Sequence, residues 1–214
     1  MEKHWLKKEG NRSLAIFALG WAADYRAVEH IRPEGYDRLC LYDYRSLEPV
    51  TREEVAGYGR VVLFAWSFGV WVSEQLFRKI PLSRAVALNG TPFPVDDRYG
   101  IPVRAFAVTL RSLAAAGTEE FDKRAYGEYY KNIAGIAGRD LKALSEELAT
   151  LHRLSAEPYA PALAWDRAVV GTRDRIFPPA NMEAYWGAKA LRADMPHYPF
   201  GDPAIIDTEL GAGI

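Results

Sequence analysis

Short apolar runs recur along this chain, each ending at a small, polar or turn-forming residue. Residues 13–18 (Ser-Leu-Ala-Ile-Phe-Ala), 36–42 and 60–65 read as buried strands, each followed by a polar or amphipathic segment of helix length. Residues 85–88 repeat the pattern and end in Asn89-Gly90-Thr91-Pro92, as do residues 168–170, which end in Gly171-Thr172. Alternating strand and helix predicts a largely parallel sheet with helices on both faces. Between residues 104 and 155 no strand is legible. Helical stretches at 118–133 and 140–154 fill that interval, and the strand pattern resumes near Leu163. One strand-to-strand connection seldom needs fifty residues, so the interval predicts a helical cap inserted between two strands. After His197, the residues Gly201, Pro203, Gly211 and Gly213 argue against a long final helix.

At 214 residues, 49% of them hydrophobic, the chain fits a single domain over 1–214 with a sizeable core. The charges nearly cancel, 27 Lys and Arg against 28 Asp and Glu, and no single-sign block occurs. Nucleic acid and a polybasic membrane surface are therefore not expected as partners. The apolar runs are shorter than a membrane-spanning helix needs, and Met1-Glu2-Lys3-His4-Trp5 has no signal-peptide core, so a cytoplasmic protein is expected. The single cysteine, Cys40, excludes an intrachain disulfide and sits in an apolar run as a small core residue.

Candidate chemistry centres on residues 60–71, an apolar run that breaks at Ser67 with Ala65 and Gly69 two positions to either side. A serine raised on a sharp strand-to-helix turn requires small neighbours at those positions. A helix over roughly 68–79 would direct its free N–H groups at the serine, although an ordinary helix N-cap also accounts for Ser67. A serine nucleophile needs a base, and the base needs an orienting acid. Of four histidines, His4 is N-terminal, His30 follows an expected early helix and His152 lies in a helical stretch. His197 stands in a proline-flanked loop just beyond the last strand candidate, where parallel sheets present catalytic groups, and is the expected base. Asp174, past residues 168–170, is the expected acid, with Asp166, Asp194, Asp202 and Asp207 as alternatives. The order Ser67, Asp174, His197 is that of the α/β-hydrolase fold. The turn at Gly20 suggests the backbone amides of Trp21 and Phe68 as an oxyanion hole, against the simpler reading of a tight glycine turn.

Several runs together carry a more specific likeness: Phe17-Ala18-Leu19-Gly20-Trp21, Tyr42-Asp43-Tyr44, Phe64-Ala65-Trp66-Ser67-Phe68-Gly69-Val70-Trp71, Ala87-Leu88-Asn89-Gly90-Thr91-Pro92, Tyr99-Gly100-Ile101-Pro102 and Pro196-His197-Tyr198-Pro199-Phe200. On these the chain resembles, over nearly its whole length, the BioG-type pimeloyl-[acyl-carrier protein] methyl ester esterases of biotin synthesis. The resemblance implies Ser67 as nucleophile, His197 as base and Asp174 as acid. It also implies acyl carrier protein bearing a pimeloyl methyl ester as partner and substrate, and no metal or organic cofactor. Ala22 departs from the pattern, standing where a second small residue such as glycine is expected. Trp66, with Trp21 and Phe68, is expected at the acyl pocket. Tyr126 and Tyr130, with Phe121 and Tyr129, are candidates either for the acyl slot or for ordinary packing. Residues 101–155 hold eight Lys and Arg against seven Asp and Glu, so a carrier-docking patch requires clustering among Lys123, Arg124, Lys131, Arg139 and Lys142. An esterase or thioesterase of another acyl substrate and a non-catalytic relative of the same fold are the competing readings.

Overall fold

The computed structural model describes residues 1–133 and 139–211. Among these, seven strands form one sheet in the order β1-β3-β2-β4-β5-β6-β7: β1 Glu2–Lys7, β2 Ser13–Ala18, β3 Tyr36–Tyr42, β4 Arg60–Trp66, β5 Arg84–Leu88, β6 Arg167–Gly171 and β7 Ala190–Ala193. All adjacent pairs are parallel except β1 with β3. Charged residues along β1 (Glu2, Lys3, Lys7) hide it from a search for apolar runs. As an edge strand it is solvated on one side and tolerates them. The helices are α1 Arg52–Val55, α2 Phe68–Leu76, α3 Val103–Ala116, α4 Glu119–Tyr126, α5 Tyr130–Ile133, α6 Leu141–Ser155, α7 Pro179–Trp186 and α8 Ala204–Leu210.

Alternation along the strands separates two apolar layers. Leu14, Ile16 and Ala18 join Leu63, Ala65, Phe68, Trp71, Phe106, Leu148 and Met182 on one face. Ala15, Phe17 and Leu19 join Phe64, Trp66, Tyr126, Tyr198, Phe200 and Ile206 on the other. Side chains one residue apart on a strand point to opposite faces, so each strand feeds both layers. Burying each Phe or Leu side chain contributes about 1.5–3 kcal/mol.

Two early expectations need correction. Residues 19–35 form no α-helix and hold only a 3-10 turn at Tyr25–Ala27, capped by the Asp24 carboxylate on the Arg26 N–H. Residues 43–59 hold only the single turn α1. Ala22 at φ 68° and Pro33 bound the first segment, and Pro49 and Gly57 bound the second, leaving little room for a helix there. The tail forms the short helix α8, ended by Gly211 in the left-handed region; Gly213 lies outside the described residues.

Helices α3 to α6 occupy the interval expected for a cap, of which residues 134–138 lie outside the described residues. Asp140 caps α6 by accepting the Ala143 N–H at 2.8 Å. Its buried face carries Leu144, Leu148 and Leu151 and also a fully buried glutamate, Glu147. That carboxylate accepts the Tyr44 N–H at 2.8 Å and an Arg139 N–H at 2.7 Å, while Arg139 also lies 2.9 Å from Asp43. Burial raises the Glu147 pKa, and the Arg139 cation opposes that shift. This network fastens α6 to the carboxyl end of β3. A second tie joins α4 to the segment after β7, where the Tyr198 N–H donates to the Ala125 carbonyl at 2.9 Å.

The chain runs outward from β2 to β3 and then crosses back to place β4 on the other side of β2. Between the carboxyl ends of β2 and β4 the connections leave in opposite directions, which opens a crevice.

At the far end of the sheet, Asp37 accepts N–H groups from Glu9, Gly10 and Asn11 and the Tyr58 hydroxyl at 2.9 Å. Burial disfavours its charge, but these hydrogen bonds outweigh that and lower its pKa from 3.8 to about 2. Because the folded value is depressed, the resulting stability is present above pH 3.8 and is lost as pH falls towards about 2. Urea midpoints measured across that interval should fall for the wild type. In Asp37→Ala the midpoint should be lower at neutral pH and show a shallower acid decline.

Candidate active site

Ser67 sits between the last residue of β4 and the first of α2, at φ 59° and ψ −126°. A non-glycine residue in that region costs on the order of 1–3 kcal/mol and persists only where its surroundings enforce it. Three glycines permit this. A Cβ on Gly69 would lie 2.1 Å from the Ala18 carbonyl oxygen, one on Gly90 would lie 2.5 Å from the Ser67 carbonyl oxygen, and one on Gly20 would lie 2.9 Å from the Ser67 Cβ. The Ser67 N–H is held by the Leu88 carbonyl at 3.0 Å.

The hydroxyl so presented lies 3.0 Å from His197 Nε2, and His197 Nδ1 lies 2.7 Å from Asp174 Oδ2. An ionised carboxylate only accepts, so the Nδ1 proton points at Asp174 and Nε2 is left to accept the Ser67 O–H. The other carboxylate oxygen accepts the Ile176 and Phe177 N–H groups at 2.7 and 2.9 Å. The Phe177 ring stacks parallel to the imidazole, which is 1% exposed. The alternative acids lie elsewhere: Asp166 accepts the Ala85 N–H at the opposite end of β5, Asp194 pairs with Arg173, Asp202 accepts the Ala204 N–H, and Asp207 belongs to α8.

Phe68 opens α2, where the first N–H groups of a helix lack intrahelical partners. The Trp21 N–H has no hydrogen-bond acceptor among the described residues. Ala22 adopts φ 68°, a left-handed conformation that glycine occupies at lower cost, which accounts for the expectation of a smaller residue there. The Trp21 indole donates to the Leu144 carbonyl of α6 at 2.9 Å and so ties this loop to the cap helices.

Beside the Ser67 hydroxyl lies a cavity of about 60 Å³, lined by Trp21, Phe68, Ile101, Phe106, Phe121, Leu148 and Ile176, with Arg124 and Arg175 also on its wall. A groove of about 280 Å³ between α3 and α4 shares Trp21, Ala105, Thr109, Phe121 and Arg124 with it. Trp66, Tyr126 and Tyr130 do not line this cavity. Two-residue alternation puts Trp66 with Phe64 in the layer opposite α2. There its ring packs on Tyr126, Tyr198 and Phe200, and its Nε1–H donates to the His197 carbonyl at 2.8 Å. Burial pushes the Tyr126 phenol pKa up, and Tyr130 packs against the same layer. Of the cavity-lining residues Ile101, Phe106 and Ile176, only Ile101 belongs to a sequence motif, Tyr99-Gly100-Ile101-Pro102. They come from α3 and two loops that only the fold brings together.

The cations that a docking patch would require are dispersed. Arg139 is bound in the Glu147 network, Lys123 pairs with Glu119 and Glu120, and Lys142 extends towards Glu146. Arg124 and Arg175 both line the cavity wall, and neither pairs with a carboxylate among the described residues.

The family model for pimeloyl-ACP methyl esterase BioG matches residues 1–202. The chain belongs to the BioG family. A relative from Bacteroides fragilis (strain 638R), named malonyl-[acyl-carrier protein] O-methyltransferase, is 35% identical over 191 residues, which are 86% of this chain but 39% of that protein. The chain thus spans about two-fifths of the length of that relative. The crystal structure of selenomethionine BioG from Haemophilus influenzae superposes with a TM-score of 0.84 at 31% identity, over 92% of this chain and 94% of that one. An enol-lactonase from Burkholderia xenovorans LB400 matches 99% of this chain and 94% of its own, with a TM-score of 0.61 at 14% identity, a likeness of fold alone. BioG membership and these neighbours identify the sheet and its helices as an α/β-hydrolase fold.

Gly69→Ala tests the packing of the elbow. The methyl group meets backbone at 2.1 Å, with no flexible side chain to yield, so a loss of about 1–3 kcal/mol or more is expected in denaturant titration.

Proposed function

We propose that this chain is a serine carboxylesterase that hydrolyses the methyl ester of a pimeloyl chain borne by acyl carrier protein, releasing methanol. The observation that carries this reading is the hydrogen-bonded series Asp174–His197–Ser67, ending at an apolar cavity, in a member of the BioG family. Ser67 Oγ attacks the ester carbonyl as His197 Nε2 takes its proton, and Asp174 stabilises the resulting imidazolium. The Trp21 and Phe68 amides receive the developing oxyanion. The tetrahedral intermediate collapses, His197 returns the proton to the departing methoxide, and methanol leaves an acyl-serine. Water, deprotonated by the same imidazole, releases the free acid and restores the hydroxyl. These steps use no metal or organic cofactor.

The acyl chain lies along Phe106, Phe121 and Leu148, and the groove between α3 and α4 takes the part of the substrate that leads to the carrier. Removal of the methyl group exposes a carboxylate, which changes the charge of the chain at the cavity. Arg124 and Arg175, at the cavity wall, attract the acidic carrier or its arm. The chain works in the cytoplasm, beside its carrier, as one domain with the 104–155 segment as cap.

Ser67→Ala and His197→Ala should each lower methanol release from the carrier-bound ester by about 10⁴-fold or more, since triad members act as a unit. A loss below about tenfold would remove either residue from the mechanism. Arg124→Glu should raise KM for the carrier-bound ester by about tenfold more than for the free dimethyl ester, by charge repulsion at the encounter surface. Equal effects on both substrates would place carrier recognition elsewhere. Faster turnover of a thioester than of the methyl ester would favour the thioesterase reading.

A further inference from the structure

We infer that Asn89 is a positioning residue for the reaction, holding the loop that carries His197 in register with the loop that carries Asp174. The inference rests on the roles proposed above for those two residues. Asn89 directly follows β5, is fully buried and has φ 47°, a conformation that asparagine tolerates better than most residues. Its own N–H donates to the Val169 carbonyl at 3.0 Å, which fixes its backbone against β6.

The side chain then spans two loops. Oδ1 accepts the Gly171 N–H at 2.6 Å, three residues before Asp174. Nδ2 donates to the Pro196 carbonyl and to the His197 carbonyl, each at 2.9 Å. Both amide protons and the amide oxygen are in use, so the orientation of the group is set: flipping it would face oxygen against two carbonyls. The His197 carbonyl also accepts the Trp66 indole N–H, so the backbone of the base itself is gripped from two sides. The space is close-packed as well, since a Cβ on Gly171 would fall 2.7 Å from the Met195 carbonyl oxygen and 3.0 Å from Asn89 Nδ2.

The other backbone ties between these segments, from the Thr172 N–H to the Ala193 carbonyl at 2.9 Å and from the Arg173 N–H to the Met195 carbonyl at 3.1 Å, lie four and two residues before the imidazole. Asn89 acts at the imidazole-bearing residue. Without its two donors the His197 carbonyl keeps, among the described residues, only the indole bond, and the imidazole loses registration with Ser67 and Asp174 together. An error of about 1 Å in such a contact costs on the order of a hundredfold in rate.

Asn89→Asp and Asn89→Gly test this, because both residues accept a positive φ. Asp keeps the volume and the acceptor for Gly171 but loses both donors. Arg84→Met is the control: it breaks the ion pair with the buried Glu209 at the opposite end of the same strand and touches no reacting group. Hydrolysis of the carrier-bound methyl ester gives kcat and KM, and proton NMR follows the downfield resonance of the His197 Nδ1–H bonded to Asp174. Both Asn89 variants should lose kcat on the order of a hundredfold with KM changed less than about threefold, and the resonance should shift or vanish. Arg84→Met should lower thermal stability while keeping kcat and the resonance. If Asn89→Gly does not fold, Asn89→Asp decides. Retention of kcat within about threefold together with an unchanged resonance overturns the inference. A wild type inactive on esters would instead defeat the proposed function, while the resonance would still report on Asn89.

Discussion

Everything at the functional end of this molecule depends on one constrained backbone position, Ser67 at φ 59°. The strain is held by close packing: the ends of β2, β4 and β5 approach so tightly that glycine is needed at positions 20, 69 and 90. The parallel register of Ala18, Ala65 and Ala87 across three neighbouring strands brings those ends level. Small residues therefore recur around the serine for a single reason, the separation of three backbones. The same approach turns the hydroxyl away from the sheet and towards the imidazole.

The second constraint is the docking of α3 to α6 over the crevice. One anchor is the Asp43, Arg139 and Glu147 network with the Tyr44 N–H, and another is the backbone bond from Tyr198 to Ala125, one residue beyond His197. Arg173, next to Asp174, adds a bidentate pair to Glu128 and a further bond to Asp194. The segment that covers the cavity is thus fastened to the loops that carry the imidazole and the carboxylate. Only Phe106 and Leu113 of the 14 residues of α3 are buried, so the α3 side of the groove is lightly embedded.

Much of this was legible from residue order because strand periodicity and turn chemistry are local. The strands at 13–18 and 60–65 and the sharp bend at Ser67 follow from apolar runs ended by glycine-bearing turns, and the strand at 36–42 from its apolar stretch Leu39-Cys40-Leu41-Tyr42. The pairing of Ser67, His197 and Asp174 was accessible because each follows a strand, and a parallel sheet gathers such ends on one edge. What local pattern could not supply is which face a boundary residue takes. Trp66 was expected at the acyl pocket but falls on the opposite layer by the two-residue rule, where its indole supports the His197 backbone. Tyr126 packs with it. Edge strand β1 was missed because its charges are tolerated where solvent replaces a neighbour, and Arg139 was read as a surface cation because nothing local shows that Glu147 is buried or that the distant Asp43 joins it. Asn89, part of a conspicuous turn motif, gave no hint of its bonds to residues 171, 196 and 197.

In the proposed reaction the Ser67 hydroxyl is the group that takes up the acyl chain. Quenching the protein in acid during turnover of the pimeloyl methyl ester, followed by peptide mass mapping, tests it directly. The account predicts an acyl adduct on the peptide containing Ser67, localised to that residue by fragmentation and absent from Ser67→Ala. Continued hydrolysis with the acyl group on another residue, or undiminished turnover by Ser67→Ala, would contradict it.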